Sequence, residues 1–132
     1  MKYLFSLIFV TSFLFSDQRI LKISNFIDYI DIELLKDFAS ENNVKIIYDI
    51  HEVNEDIFSK IKKQNDYDLV IVSSNYISKL KNIEKLEKID TTKLKNYSNI
   101  NQEFLQTNFV NSVDYTIPYL WGTVGHFIIK NL

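Results

Sequence analysis

The sequence predicts an α/β fold with a mostly parallel sheet and flanking helices, and three observations carry that prediction. Short apolar runs rich in β-branched residues recur over 20–24, 44–50 and 69–72, the length and composition of strands. Two stretches with capping residues and helical spacing lie between them. The connections are short, and strands joined in sequence by single helices run parallel, because the crossover returns the chain to the same end of the sheet.

The first strand is expected over 20–24, followed by a turn at 25–30. Asp31 suits an N-cap, Glu33 lies in the first helical turn, and Leu34, Leu35, Phe38 and Ala39 share one face. Asn42 and Asn43 end that helix. The second strand covers 44–50, and Asn54 is placed to cap a second helix whose buried face is Ile57, Phe58 and Ile61. Glu55 and Asp56 at its start and Lys60, Lys62 and Lys63 near its end suit the helix dipole. Asn65 and Asp66 close it. Leu69 to Val72 is a continuous apolar run that fits a strand covered on both faces. A third helix is expected over 75–80, a short strand over 86–89, and short helices near 92–94 and 102–105. The end of the chain, 124–132, reads as a strand starting elsewhere.

Composition narrows the function. The 132 residues are 46% hydrophobic and 24% charged, enough for one domain with a buried core. A net charge of −2 argues against a nucleic-acid partner, which needs a surplus of Lys and Arg. The chain has no cysteine, which excludes disulfides, thiolate metal sites, a Cys nucleophile and a lipid-modified cysteine. Two glycines leave little room for a phosphate-cradling loop. His51 and His126 are the only histidines and have no ligand spacing, so no metal and no cofactor is expected.

Residues 1–16 (MKYLFSLIFVTSFLFS) carry one positive charge, at Lys2, then an apolar run to Phe15. The run is short for a membrane span and fits the core of a secretory signal. Cleavage after Ser16 puts Leu14 where a small side chain is favoured, so an uncleaved anchor is the alternative. Either way the chain is expected to be exported, with a mature domain from Asp17.

Parallel α/β sheets bind ligands just outside the carboxyl ends of their strands. The loops at 25–29, 51–54 and 73–76 gather there. Phe26, Tyr29, Tyr76, Tyr119 and Trp121 lie in or next to loops, where aromatic faces hold cations or apolar groups. Of these, Tyr29 and Tyr76 follow strands that end on the same edge. Ser73, Ser74 and Asn75 offer polar groups to a ligand, against the plainer reading that one of them caps a helix. No nucleophile–base pair or metal set stands out, so an enzyme is not expected.

Four stretches in order resemble one family: Asn25-Phe26-Ile27-Asp28-Tyr29-Ile30, then Tyr67-Asp68-Leu69-Val70 with Ser73-Ser74-Asn75-Tyr76, then Ile89-Asp90-Thr91-Thr92-Lys93-Leu94, and Ile117-Pro118-Tyr119-Leu120-Trp121-Gly122-Thr123. The chain resembles the spermidine/putrescine-binding proteins of bacterial ABC importers. The resemblance implies a type II-like periplasmic binding protein with two lobes around a cleft, a polyamine ligand, an inner-membrane permease as partner and a periplasmic location. It implies that Phe26, where the family usually has Trp, and Tyr29 line the cleft, and that Ser73 contacts the ligand. Asn75 falls where the family usually has a ligand-contacting Tyr, with Tyr76 one position later, and Val72 stands in place of a proline. It also implies that 17–123 form the first lobe, that 124–132 start the crossover, and that the chain is truncated before the second lobe and binds weakly or not at all by itself. The alternative expectation is an exported standalone α/β interaction domain that has lost transport.

Overall fold

The computed structural model describes residues 18–64, 66–105 and 114–122. The signal or anchor expected over 1–16, Asn65, Thr123 and the strand expected over 124–132 lie outside the described residues.

Three parallel strands form one sheet in the order β2-β1-β3. The central strand, β1 (Arg19–Phe26), pairs with β2 (Val44–His51) from Arg19↔Val44 through Phe26↔His51. On its other side it meets β3 (Leu69–Val70) through Ile23↔Leu69 and Ser24↔Val70. Single bonds from Asp68 N–H to the Lys22 carbonyl and from Ile71 N–H to the Ser24 carbonyl, both 2.9 Å, continue that pairing.

The first connection, α1 (Ile32–Asn42), is bounded as its residues dictate. Asp31 accepts the Glu33 N–H at 2.9 Å, and Asn43 ends the helix in the left-handed region at φ 49, which Asn tolerates better than most residues. The second helix, α2 (Asn54–Gln64), crosses back over β1 to β3. Right-handed crossovers in opposite directions put α1 and α2 on opposite faces of the sheet. After β3 comes α3 (Ser74–Asn82), packed beside α2.

The core sits on the α2–α3 face. Ile57, Ile61 and Leu80 are buried there, with Phe58, Tyr67, Val70, Val72, Ile83 and Leu86 against them. All three residues of the expected α2 face are in this cluster. Below it Asp49 accepts from the Lys60 ammonium at 2.7 Å and from the Tyr67 hydroxyl. Burial works against the Asp49 carboxylate, yet these two donors hold it below the usual range. Burial and the facing Asp49 push the Tyr67 hydroxyl up to about 12.

The α1 face differs from expectation. Of Leu34, Leu35, Phe38 and Ala39, only Leu35 is buried, while Leu34 is 60% and Phe38 46% exposed. α1 packs against β2 through its Leu35 side, and among the described residues that contact leaves Leu34 and Phe38 uncovered. The expected strand over 69–72 is also shorter, with only Leu69 and Val70 in the ladder, and Leu69 is 52% exposed. Side chains alternate along a strand, so Val70 enters the α2–α3 core and Leu69 faces the barely covered side.

No strand forms over 86–89. Leu86 packs on the core, and Ile89 N–H makes one bond, 2.7 Å, to the Asp114 carbonyl. The expected short helices appear as a 3₁₀ turn at Thr91–Lys93, opened by Asp90 on the Thr92 N–H, and as α4 (Gln102–Leu105). A second 3₁₀ turn, Tyr97–Asn99, lies between them. Among the described residues no helix is long and apolar enough to cross a membrane.

Candidate ligand site at the carboxyl edge of the sheet

Three loops open on one edge because all three strands end there. At the end of β1, Asn25 is only 1% exposed. Its Oδ1 accepts the Phe26 N–H at 2.8 Å, and its side chain also hydrogen-bonds the Tyr48 hydroxyl. Asp28 takes the left-handed conformation, φ 59, one that Asp adopts more readily than most side chains. The chain turns back through it, and the Tyr29 ring comes 5.2 Å from that of Phe26. Phe26 is half-buried and also lies 4.4 Å from the His51 imidazole. Tyr29 is 46% exposed.

A residue far along the chain completes this rim. The Tyr119 hydroxyl donates to the Tyr29 carbonyl at 2.5 Å. Burial raises the proton affinity of the Tyr48 hydroxyl, the Asn25 bond opposes that, and nearby Tyr119 and Asp28 add to it. Phe26, Tyr29 and Tyr119 thus meet at the turn that carries Asp28, and Tyr48, which leaves β2 on the sheet face opposite Phe26, lies within electrostatic reach of Tyr119 and Asp28. Sequence reasoning did not select Asp28 or Tyr48 as site residues. The signal for Asp28 is its place between two rim aromatics; the signal for Tyr48 is its place three residues before the end of β2. Trp121 is elsewhere, 75% exposed with its ring 5.8 Å from Phe104.

The loop after β3 is tied to the start of α2. Asn54 Nδ2 donates to Ser73 Oγ, and Ser73 N–H donates to Asn54 Oδ1, each at 2.9 Å. Both polar atoms of the Asn54 amide thus bond Ser73, and the expected cap on α2 is replaced by a loop-to-loop clasp. Ser73 occupies the N-cap position of α3 but makes no side-chain cap bond. Asn54→Ala leaves the Ser73 N–H to water, with an expected loss of about 1 kcal/mol in urea unfolding. Amide exchange should quicken first over 71–74; unchanged exchange there would contradict the clasp.

Asn75 is exposed in the first turn of α3. Tyr76 is not on the rim: it is 5% exposed, its hydroxyl donates to Glu55, and Phe58 meets it edge-on at 5.9 Å. The Lys79 ammonium lies 3.8 Å above its ring. The Tyr76 hydroxyl holds the Glu55 carboxyl below its ordinary range. Among the described residues, no cluster of three His, Asp or Glu side chains is placed to hold a metal ion.

Known proteins share this sequence and fold. A family model described as hypothetical lipoprotein (MG045 family) matches residues 1–117. The spermidine/putrescine-binding periplasmic protein of Escherichia coli (strain K12) is 38% identical over 111 residues, covering 83% of this chain and 32% of that protein. Among solved structures, a putative spermidine/putrescine ABC transporter protein from Listeria monocytogenes superposes with TM-score 0.74 at 33% identity. PotD, the spermidine/putrescine substrate-binding protein of Streptococcus pneumoniae, gives 0.73 at 37%. Each superposition covers 80% of this chain and 33% of the other. The chain thus spans about a third of the length of the relatives it matches.

Proposed function

The chain belongs to the MG045 family of hypothetical lipoproteins and resembles the amino-terminal part of spermidine/putrescine-binding periplasmic proteins, and on that footing we propose that it serves as the substrate-binding component of a polyamine importer. The observation that carries this reading is the rim of Phe26, Tyr29 and Tyr119 beside Asp28. A polyamine is a flexible polycation, and its ammonium groups leave water only where carboxylates and π faces replace the lost hydration. Phe26 and Tyr29 supply faces, Asp28 supplies charge, and Ser73 and Asn75 offer polar groups to another part of the ligand. Glu55 and Asp56 offset the positive end of α2, which would otherwise repel a cation at this edge. Tyr76 acts from inside, holding α3 against α2.

On this reading the chain is a binder and not a catalyst: the Ser24–His51 pair is buried at 0% and 3% exposure, out of reach of a substrate. The site of action is the periplasm, with export directed by residues 1–16 and with an inner-membrane permease as partner. These 132 residues contain no cysteine to carry a lipid, so the lipid anchorage in the family's description is not expected on them.

On this reading the rim supplies one wall of a cleft, and the chain spans about a third of the length of the relatives it matches. Two exposed cation–π contacts contribute about 1–2 kcal/mol and an exposed ion pair about 1 kcal/mol or less. Micromolar affinity needs about 8 kcal/mol. Spermidine titrated into the 132-residue chain under NMR should therefore bind with a dissociation constant above about 1 mM, with shifts confined to Phe26, Asp28, Tyr29, Tyr48, Ser73, Asn75 and Tyr119. Micromolar binding would overturn the one-wall reading. Absence of rim shifts, or equal shifts with ammonium chloride, would overturn the polyamine reading.

A further inference from the structure

Beneath the rim lies a buried polar pair that the ligand reading leaves unused. Ser24, at 0% exposure, and His51, at 3%, meet with Oγ and Nδ1 2.9 Å apart. The register explains the meeting. Phe26 pairs directly with His51, and Ser24 lies two residues earlier on the same strand, so all three share one face of the sheet. His51 Nε2 is buried and has no partner at bonding distance among the described residues. The Phe26 ring lies over this imidazole at 4.4 Å, tilted by 55°.

We infer that His51 is the positioning residue of the aromatic rim: neutral and held by Ser24, it supports the Phe26 ring, and a proton on it displaces that ring and weakens the site for cations. The second half rests on reading Phe26 as a ligand contact; the first half rests on geometry alone.

The surroundings set the direction. Burial lowers the proton affinity of His51, and Lys60 of α2 adds to that; the Ile71 backbone, Asp49 of β2 and Asp56 of α2 oppose it. Glu52 and Lys63 line the hollow beside it with opposite charges. From β1 only uncharged Ser24 and Phe26 face it. Burial prevails, and the folded chain releases this proton more readily than an ordinary histidine of 6.5. Below that pH the unfolded chain is protonated first. The stabilising contribution is thus complete above it and is lost as the pH falls through the folded value. An imidazolium formed here is drawn toward the Ile71 backbone, Asp49 and Asp56, the groups that favour its charge, and so withdraws support from Phe26. A positive charge next to the ring also opposes an ammonium on that ring's face.

The test follows the His51 and Phe26 ring signals of the 132-residue chain by NMR from about pH 7.5 to about pH 5, with and without millimolar spermidine. His51 should titrate below its ordinary value and the Phe26 signals should move with the same midpoint. Spermidine binding should weaken about threefold or more over that range in the wild type, and the pH effect should vanish in His51→Gln. Phe26 signals that stay still through the His51 titration would overturn the inference. So would a pH profile shared by wild type and His51→Gln, or global loss of circular dichroism in place of a local change. If spermidine moves no rim signal at either pH, the polyamine reading fails, while the Phe26–His51 coupling still judges the positioning role.

Discussion

Replacing Tyr76 by alanine is expected to cost about 3–5 kcal/mol and to lower the thermal midpoint by about 10 °C or more. Tyr76→Phe is expected to change little. The contrast follows from where the ring sits: it is 5% exposed, met by Phe58 from the side and covered by the Lys79 ammonium. Deleting it opens a cavity between α2 and α3. Deleting only the hydroxyl removes a bond to Glu55 at the surface, where water replaces it. Thermal and urea unfolding of both variants measure the difference, and spermidine titration of Tyr76→Phe measures the rest. That variant should respond to spermidine as the wild type does. If Tyr76→Ala instead folds normally and only the spermidine response is lost, the ring meets the ligand in the working state and the packed position is not its role.

Local chemistry made much of the fold legible. Asp31 and Asn43 announced the ends of α1, and Ile57, Phe58 and Ile61 announced the buried face of α2. The order of strands and helices fixed the parallel sheet and the edge where the loops meet. What stayed hidden depended on partners distant in sequence. Asn54 reads as a cap by type and position, but Ser73, 19 residues on, takes both ends of its amide. Tyr119 meets Tyr29 across 90 residues, which no local pattern encodes. Tyr29 and Tyr76 look alike as aromatics after strands. Their difference is one of phase: once α3 starts at Ser74, Tyr76 joins Ile77 and Leu80 on its buried face. Asp28 by itself is an ordinary acidic residue in a turn, and only the placing of Phe26, Tyr29 and Tyr119 around that turn marks it.

Ile57→Ala is expected to cost about 2–5 kcal/mol, whereas Leu34→Ala on α1 should stay within about 0.5 kcal/mol. Both remove an apolar side chain from a helix packed on the same sheet. Ile57 is 0% exposed at the centre of the α2–α3 cluster, and Leu34 is 60% exposed on a face that no described element covers. Burial, not residue type or helix membership, sets the cost. A domain of this size has about 5–15 kcal/mol in hand, so Ile57→Ala should leave it marginal and Leu34→Ala should leave it intact, as parallel urea curves will measure. The distinction bears on the site. Phe26, His51 and the Asn54–Ser73 clasp hang on the α2–α3 side of the sheet, so the stability that Ile57 supplies is also what holds these residues in place. If Leu34→Ala proves as damaging as Ile57→Ala, the α1 face is covered in solution by a partner or a second copy. The exposed Leu34, Phe38 and Leu69 then mark where that body rests.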